Sequence, residues 1–391
     1  MKKYYKALTL SLLFTIISCN TKTLNELGEE QFKIPFGTLP GAIMPLDNKF
    51  TNSRFDIKTY NGLVYIAEIK TNKLMIFNSY GKLIQTYQNG IFKTNPDLKI
   101  KKIDFEGIEA IYPLKDFILV ADKLNNKKSK FNQKENIAYF MRILILNKNS
   151  SVEILGQEGL NGTPFPQIYD VNVDENGNIA IISIYSEGYI IYSYNKEFSP
   201  LYKIYVNENL LKTIDNQKKK YNISIDKVFF EVNKKTLYVK ITYYENIGDN
   251  ENINDLGIKI KDQYIYKMSF KKNKEFEVIS KIALPKNLLD DKQESFINII
   301  KIQKDKIIAS TNMKNLSNNL IWKLDNKGSI KDQIALIEPP NLIFLSESLS
   351  KDGILSILYG GKTGVSVYWW NLNTLLNNNY KRLICKYNEK D

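Results

Sequence analysis

The chain has 391 residues, of which 43% are hydrophobic, and its 55 lysines and arginines against 42 aspartates and glutamates give a formal net charge of +13. It contains no histidine, which excludes Ser-His-Asp and Cys-His catalysis, histidine-ligated zinc hydrolysis and histidine-ligated haem. The basic excess favours anionic partners such as lipid headgroups or acidic protein surfaces, although an AT-rich genome accounts for the abundance of lysine equally well.

Residues 1–18 are predicted to be a signal peptide. Three lysines within the first six residues precede the apolar run Ala7–Ile17, which is about half the ~20 residues that a membrane-spanning helix needs. The run ends in Ile16-Ile17-Ser18-Cys19. This ending resembles the lipobox of bacterial lipoproteins, in the relaxed form found in spirochaetes. The resemblance implies that Cys19 carries lipid and becomes the N-terminal residue after cleavage.

The rest of the chain is predicted to be a short tether, residues 19–32, followed by one domain, residues 33–391. The tether is polar and carries scattered charge, which suits a segment that holds the domain off the bilayer. Only one other cysteine is present, Cys385. Because Cys19 is assigned to the lipid, Cys385 has no disulfide partner, and we expect burial alone to hold the fold together.

Short apolar runs bounded by Gly, Asn and Asp predict an all-β domain. Pairs of such runs recur, as in Leu63–Glu68 with Leu74–Asn78, and Ile179–Ser183 with Tyr189–Tyr194. Six copies can be traced, about 40 to 70 residues apart, which is the spacing of β-propeller blades enlarged by loops. The sequence therefore predicts a propeller of six blades, each a four-stranded antiparallel sheet.

The repeats resemble those of NHL-type propellers. Gly156 to Gly159, Pro164 to Pro166 and Asp174 to Ile182 follow the family's order of a glycine-rich entry, a proline and an apolar strand. The motif also continues with a strand ending in Asp/Asn-x-x-Gly. Leu119-Val120-Ala121-Asp122 and Tyr65-Ile66-Ala67-Glu68 match the apolar strand alone. We expect the N-terminal segment Lys33–Leu39 to join the last blade, and Lys381–Tyr387 to form a final strand, so that the ring is closed without a disulfide.

No catalytic, cofactor-binding or metal-binding residues are assigned, and the expected function is non-enzymatic. A lipid-anchored ring in the cell envelope, with the outer membrane as the expected membrane, is typical of a scaffold for protein–protein binding. It resembles in architecture the propeller lipoprotein that accompanies the outer-membrane β-barrel assembly machine. We expect an envelope protein as partner and no nucleic acid.

Two alternatives stay open from the sequence. The first is a surface lipoprotein that binds external ligands. The second is a hydrolase similar to calcium-dependent lactonases, which hold acidic residues in the channel of six blades. In that case five carboxylates are the candidates for the channel: Glu68, Glu106, Glu109, Asp122 and Asp170. The basic segment Lys123–Lys134 is predicted to be a solvated loop.

Overall fold

A computed structural model describes the residues 24–26, 29–44, 55–90, 100–148, 151–207, 209–210, 221–246, 258–271, 276–285, 296–303, 306–312, 318–337, 344–361 and 364–375. Within these residues the chain is all-β, and its main sheets number six, arranged in a ring. The predicted six-bladed β-propeller is therefore confirmed.

Each blade is an antiparallel sheet of four strands, which we number outward from the axis of the ring as inner, second, third and outer. Blade 1 has Phe55–Tyr60, Leu63–Glu68, Lys73–Asn78 and Leu83–Gln88. Blade 2 has Ile108–Pro113, Phe117–Lys123, Met141–Asn147 and Val152–Gly156. Blade 3 has Gln167–Val173, Ile179–Tyr185, Gly188–Tyr194 and Pro200–Asn207.

The other three blades repeat this order. Blade 4 has Asn222–Glu231, Thr236–Asn246, Ile258–Phe270 and Phe276–Ala283. Blade 5 has Asn298–Gln303, Lys306–Asn312, Asn318–Leu324 and Ile330–Ile337. Blade 6 has Phe344–Leu349, Ile354–Gly360, Gly364–Asn371 and, as its outer strand, Glu29–Pro35 from the start of the described chain.

A few short elements extend the blades. Ile100–Lys102 adds a parallel strand to blade 1, Gly159–Leu160 a fifth strand to blade 2, and Leu24–Glu26 a parallel strand to blade 5. Among the elements with defined bounds, helix is confined to one 3-10 turn and one α-helical turn, Ile69–Thr71 and Leu372–Leu375. No helix in the described part of the chain is long and apolar enough to cross a membrane.

The segment after Lys123 differs from the predicted solvated loop, because it contains a two-stranded hairpin, Lys130–Asn132 with Ile137–Tyr139. Its lysines are exposed, but Ile137 and Tyr139 are 3% and 8% exposed and join the core between blades 2 and 3. The apolar side chains that anchor this hairpin lie just beyond the lysine-rich residues on which the prediction rested.

The core is divided among the six interfaces between neighbouring blades. Six clusters of buried side chains occupy them, one for each interface, including the one between blades 6 and 1. The second strands are buried on both faces, so successive residues of Leu63–Glu68 and Ile179–Tyr185 are apolar instead of alternating. The same geometry places Trp369 and Trp370 on opposite faces of blade 6, where they pack toward blades 1 and 5 respectively.

The turns that lead from third to outer strands share one hydrogen-bonding pattern. Asn78 Oδ1 accepts hydrogen bonds from the backbone N–H groups two and four residues later, at 3.0 and 2.9 Å, and Asn195 and Asp325 do the same. Gly81 and Gly328 take the position of positive φ, at +76° and +83°. This turn is the physical basis of the Asp/Asn-x-x-Gly part of the repeat.

The N-terminal segment joins the last blade as predicted, but its strand is Glu29–Pro35 and not Lys33–Leu39, so this blade mixes strands from two distant parts of the chain. Glu29–Pro35 runs antiparallel to Gly364–Asn371. The predicted tether, residues 19–32, therefore needs correction, because Leu24–Glu26 and the first residues of Glu29–Pro35 are already strands of the ring. Cys19, Lys381–Tyr387 and Cys385 lie outside the described residues.

The two ends of the ring differ in how the strands are connected. At one end, which we call the turn face, short turns join inner to second strands and third to outer strands. At the opposite end, the loop face, lie the connections between second and third strands, which range from residues 186–187 in blade 3 to residues 124–140 in blade 2, and the connections that lead from each blade to the next. The hairpin Lys130–Asn132 with Ile137–Tyr139 belongs to the loop face.

Candidate functional site

The five carboxylates predicted from the sequence do not converge. Glu109 and Asp170 lie on the inner strands of blades 2 and 3. Glu68, Glu106 and Asp122 lie instead at the loop-face ends of blades 1 and 2, where the second strands finish. Of the five candidates for the channel, these three are therefore excluded, because each holds a loop in place.

Glu68 binds the segment around Met44 that leads into blade 1. Its side chain is almost fully buried, and Oε2 lies 2.9 Å from Lys73 Nζ. The same carboxylate accepts hydrogen bonds from the Met44 backbone N–H at 2.8 Å and the Thr71 hydroxyl at 2.7 Å. All of these partners belong to the protein, so Glu68 has a structural function.

Asp122 performs the corresponding function in blade 2. Its fully buried carboxylate accepts the backbone N–H groups of Glu106 and Gly107 at 3.0 and 2.8 Å, and pairs with Arg142 at 2.8 Å. Burial alone would raise the pKa of Glu106, but hydrogen bonds from Lys128 and from the Asn125 N–H outweigh it and lower that pKa. The network orients the loop that leads into the inner strand of blade 2.

A second set of charged residues lines the axis of the ring. Asp170 of blade 3 is close enough to Lys58 of blade 1 for their charges to interact, and Lys227 of blade 4 interacts with Glu347 of blade 6 and with Lys58. Blades 1 and 4 are on opposite sides of a six-membered ring. Such interactions between non-neighbouring blades require that the side chains face a common central channel.

The sequence reasoning found Asp170 but missed its neighbours Asp56, Lys58, Lys227 and Glu347. The signal was present, because charged residues flank a buried aliphatic residue in Asp56-Ile57-Lys58 and precede one in Lys227-Val228. Each segment lies on an inner strand, and the second strand that follows it is a run of apolar residues. This alternation marks a strand with one face in the core and the other in a polar channel.

Contacts within the channel hold the carboxylate of Asp56 in place. Asp56 Oδ1 lies 2.6 Å from Lys58 Nζ, and its Oδ2 accepts the backbone N–H of Ile111 from blade 2 at 2.8 Å. Lys58 Nζ also lies 5.6 Å from the centre of the Tyr112 ring, within the range of a cation–π contact. Asp56 is thus satisfied by two blades.

The negative charge of Asp170 is less well compensated than that of Asp56. Its carboxylate accepts a hydrogen bond from the neighbouring Val171 N–H at 2.8 Å, while Lys227 and Lys58 act on it through space. Burial raises the pKa of Asp170 even though both lysines lower it. Burial likewise lowers the pKa of Lys227, against the attraction of Asp170 and Glu347.

Two lysines of the channel also link neighbouring blades through hydrogen bonds. Lys227 Nζ donates to the Ile299 carbonyl of blade 5 at 2.7 Å, and Lys301 Nζ donates to the Ser350 carbonyl of blade 6 at 2.7 Å. Burial lowers the pKa of Lys301 to about 8, assisted by the nearby charge of Lys351. The channel wall therefore carries opposed fixed charges held by backbone contacts, an arrangement suited to binding polar groups or water.

The described residues contain no group of three or more Cys, Asp or Glu side chains arranged to hold a metal ion. The carboxylates named above are instead paired with lysine, arginine or backbone N–H groups.

Exposed apolar side chains are unequally distributed between the two ends of the ring. Among the described residues, 14 large apolar side chains are notably exposed. Seven of them lie at or next to the loop face: Leu39, Met44, Phe131, Tyr169, Tyr205, Phe296 and Leu345. Five lie at or next to the turn face, namely Tyr80, Ile84, Val152, Leu201 and Val278, while Leu160 and Ile279 belong to neither set. Within the described residues the loop face therefore carries more exposed apolar side chains, which is a feature of surfaces that bind other macromolecules.

No protein-family model and no curated protein matches this chain. Several solved structures are similar to it at low identity. An ulvan lyase of polysaccharide lyase family 25 is 10% identical, with a TM-score of 0.40 over 90% of this chain and 96% of the lyase. A luciferin-regenerating enzyme is 11% identical, with a TM-score of 0.37 over 87% and 92%. Hydrazine synthase from Kuenenia stuttgartiensis is 10% identical, with a TM-score of 0.38 over 85% and 98%.

Proposed function

We propose that this protein is a lipid-anchored binding protein of the cell envelope that engages a protein partner through the loop face of its propeller. The observation that carries the proposal is the larger number of exposed apolar side chains at that face among the described residues. Protein interfaces bury aromatic and aliphatic anchors of this kind within a polar rim. The exposed lysines of the segment 123–134 supply such a rim on blade 2.

The proposed anchor is the lipid on Cys19, and it rests on the order of lysines, apolar run and cysteine in the sequence. A Cys19→Ala variant should lose metabolic lipid labelling and move to the soluble fraction. If this variant stays with the membrane after washing in high salt, a retained signal helix or a protein partner holds it there.

The loop-face proposal can be tested by recovering the anchored protein from detergent-solubilised membranes. Phe131 and Lys115 form a control pair, because both are exposed and both lie on blade 2, Phe131 in the connection between its second and third strands and Lys115 in the turn between its inner and second strands. Phe131→Ser should reduce the amount of a partner that co-purifies with the wild-type protein, whereas Lys115→Ser should not. Equal losses from the two faces would contradict the proposal.

The location of the partner separates two versions of this function. A partner inside the envelope is expected for a scaffold of outer-membrane protein assembly, and an external ligand for a surface lipoprotein. Protease treatment of intact cells distinguishes them, since only a surface-exposed propeller is digested.

A further inference from the structure

We infer that the groove between the outer parts of blades 2 and 3 is a binding site for a neutral sugar residue of a glycan. The inference goes beyond the proposed function and does not depend on a partner at the loop face. Three observations support it: a cavity between the two blades, two opposite charges that line this cavity without pairing with each other, and a buried hydroxyl group without a hydrogen-bond partner.

A cavity of about 240 Å³ lies between the outer parts of the two blades. Blade 3 contributes residues of its third and outer strands, and blade 2 contributes the turn that follows its outer strand. Six of the residues that line it are Gln157, Glu158, Tyr192, Tyr194, Leu201 and Lys203. Pockets that enclose a whole drug-sized ligand have volumes of about 300 to 1,000 Å³, so this smaller cavity suits one unit of a longer chain.

The turn on the blade 2 side of the groove is held in place by hydrogen bonds. The Tyr194 hydroxyl of blade 3 donates to the Gln157 carbonyl at 3.0 Å. The carboxylate of Glu158 accepts the backbone N–H of Thr163 at 2.7 Å and its hydroxyl at 2.9 Å. Glycine is needed at position 162, because a Cβ atom on Gly162 would lie 2.8 Å from Glu158 Oε2. The carboxylate is therefore positioned in advance, which lowers the entropic cost of binding a ligand.

The blade 3 side of the groove presents a lysine whose ammonium group lies against aromatic rings. Lys203 Nζ lies 5.3 Å from the centre of the Tyr192 ring and 5.4 Å from the centre of the Tyr205 ring, within the range of cation–π contacts. This ammonium group forms no ion pair or hydrogen bond with other residues in the described part of the chain. Its three N–H donors are therefore available to a ligand.

Glu158 and Lys203 are opposite charges that line the same cavity without direct pairing. Burial alone would raise the pKa of Glu158, but hydrogen bonds from Thr163 outweigh it and the charge of Lys203 adds to the lowering. The carboxylate is consequently ionised at neutral pH. The groove thus offers a fixed acceptor on one side and a donor on the other.

This combination favours a neutral ligand that is rich in hydroxyl groups. An anion would be repelled by Glu158 and a cation by Lys203, while an apolar ligand would desolvate both charges without replacing their hydrogen bonds. A hydroxyl group both donates and accepts, so neighbouring hydroxyls of one sugar can donate to Glu158 and accept from Lys203. The side chain of Leu201, which is 43% exposed, lines the same cavity and can contact the C–H groups of the sugar ring.

A buried hydroxyl group supplies a further donor. The hydroxyl of Tyr192 is buried and forms no hydrogen bond within the described residues, whereas most buried polar groups in proteins are paired. Tyr192 lines the cavity, and its ring is one of the two against which Lys203 lies. A sugar bound at Lys203 brings acceptor oxygens to this part of blade 3.

The first test is the binding of full-length protein, in a detergent without a sugar headgroup, to an array of neutral, anionic and cationic glycans. The neutral set consists of oligomers of glucose, galactose, mannose and N-acetylhexosamines. At least one neutral oligosaccharide should bind, and calorimetric titration with it then gives the Kd. Binding to no neutral glycan, or only to charged ones, would overturn the inference. Triglycine is titrated in parallel, and if it alone binds, the groove holds peptide termini and the inference is wrong.

Two conservative substitutions test whether the bound glycan occupies this groove. Lys203→Met removes the ammonium group and keeps an unbranched side chain against the tyrosine rings. Glu158→Gln removes the charge and keeps an oxygen that can accept the Thr163 N–H. Each variant should weaken binding at least about tenfold, which is the loss expected for one hydrogen bond to a charged group. Unchanged binding by both variants would overturn the inference.

Matched controls lie elsewhere on the outer strands. Lys281 also has its ammonium group over a tyrosine ring, 4.0 Å from the centre of Tyr264 in blade 4, and Glu153 is an exposed carboxylate on the outer strand of blade 2. Lys281→Met and Glu153→Gln should bind the glycan as tightly as the wild-type protein. A loss in these controls equal to that of the groove variants would contradict the assignment to this groove.

Tyr192→Phe separates binding from stability. This variant removes only the hydroxyl group that lacks a partner, so it should weaken glycan binding severalfold without lowering Tm. A hydroxyl group with a purely structural role would instead change Tm and leave the Kd unaltered, which would contradict its part in the site. Thermal unfolding of all five variants shows whether each is folded under the conditions of the titration.

Discussion

Ile34 pairs with Val365 across an antiparallel ladder that joins the beginning of the described chain to its last blade. Both side chains are fully buried and pack with residues of blade 1, so they belong to the interface that completes the ring. Closure therefore depends on apolar contacts between segments that are more than 300 residues apart in sequence.

Shortening Ile34 should weaken this closure. Ile34→Ala removes a side chain that is 1% exposed and should lower the free energy of unfolding by about 2 to 5 kcal/mol. Urea denaturation followed by tryptophan fluorescence measures the change, since Trp369 packs in the same interface. Lys33→Ala, on the same strand but with a side chain 71% exposed, is the control. Similar losses in both variants would argue against closure through this strand.

The buried carboxylate of blade 2 should be far more important for stability than an exposed one on the same blade. Asp122→Ala leaves Arg142 and two backbone N–H groups without their partner, and should cost about 3 to 5 kcal/mol. Asp116→Ala breaks an exposed pair with Lys148 at 3.6 Å and should cost at most about 1 kcal/mol. Thermal or urea unfolding of both variants gives the comparison. A small effect of Asp122→Ala would contradict the assigned function of this carboxylate.

The two channel aspartates should respond differently to neutral substitution. Burial raises the pKa of Asp170, so the folded protein stabilises its carboxylate less well than water does, and Asp170→Asn should leave stability unchanged or raise it. Asp56 is held by Lys58 and the Ile111 N–H, and Asp56→Asn should lower stability by about 1 to 3 kcal/mol. Unfolding at pH 7 tests the pair, and a larger loss for Asp170→Asn than for Asp56→Asn would refute this assignment.

Lys301 should make the protein more stable as the pH rises from about 8 toward 10.5. Burial lowers its pKa to about 8 from the ordinary lysine value of 10.5. Between these values the unfolded chain binds more protons at this site than the folded one, so stability increases with pH. The comparison is best made between pH 7.5 and 9.5, below the ordinary tyrosine pKa of about 10. Lys301→Met should show a flatter rise over this range, and an identical slope would contradict the assignment.

The sequence predicted the second and third strands well because their physical environment is simple. Ile179–Tyr185 and Gly188–Tyr194 lie between two neighbouring blades, so nearly every residue is buried and the apolar run is unbroken. The inner strands were harder to find. In Phe55–Tyr60 one face packs in the core and the other faces a charged channel. The sequence of this short segment does not show that the inner strands of the other five blades line the same channel.

The start of the ring was also misplaced, for a different reason. Leu24–Glu26 and Glu29–Pro35 contain three glutamates, which is unusual for strands. They are tolerated because these strands are at the outer edges of blades 5 and 6, where side chains reach solvent. Local composition alone does not distinguish such an edge strand from a polar tether.

The central claim is that the loop face binds a protein partner while the propeller is anchored in the envelope. The most direct measurement is photo-crosslinking in living cells, with p-benzoylphenylalanine in place of Phe131 at the loop face or Lys115 at the turn face, both exposed residues of blade 2. Position 131 should give a discrete crosslinked protein adduct that is absent at position 115. An adduct from position 115 and none from position 131 would contradict the account.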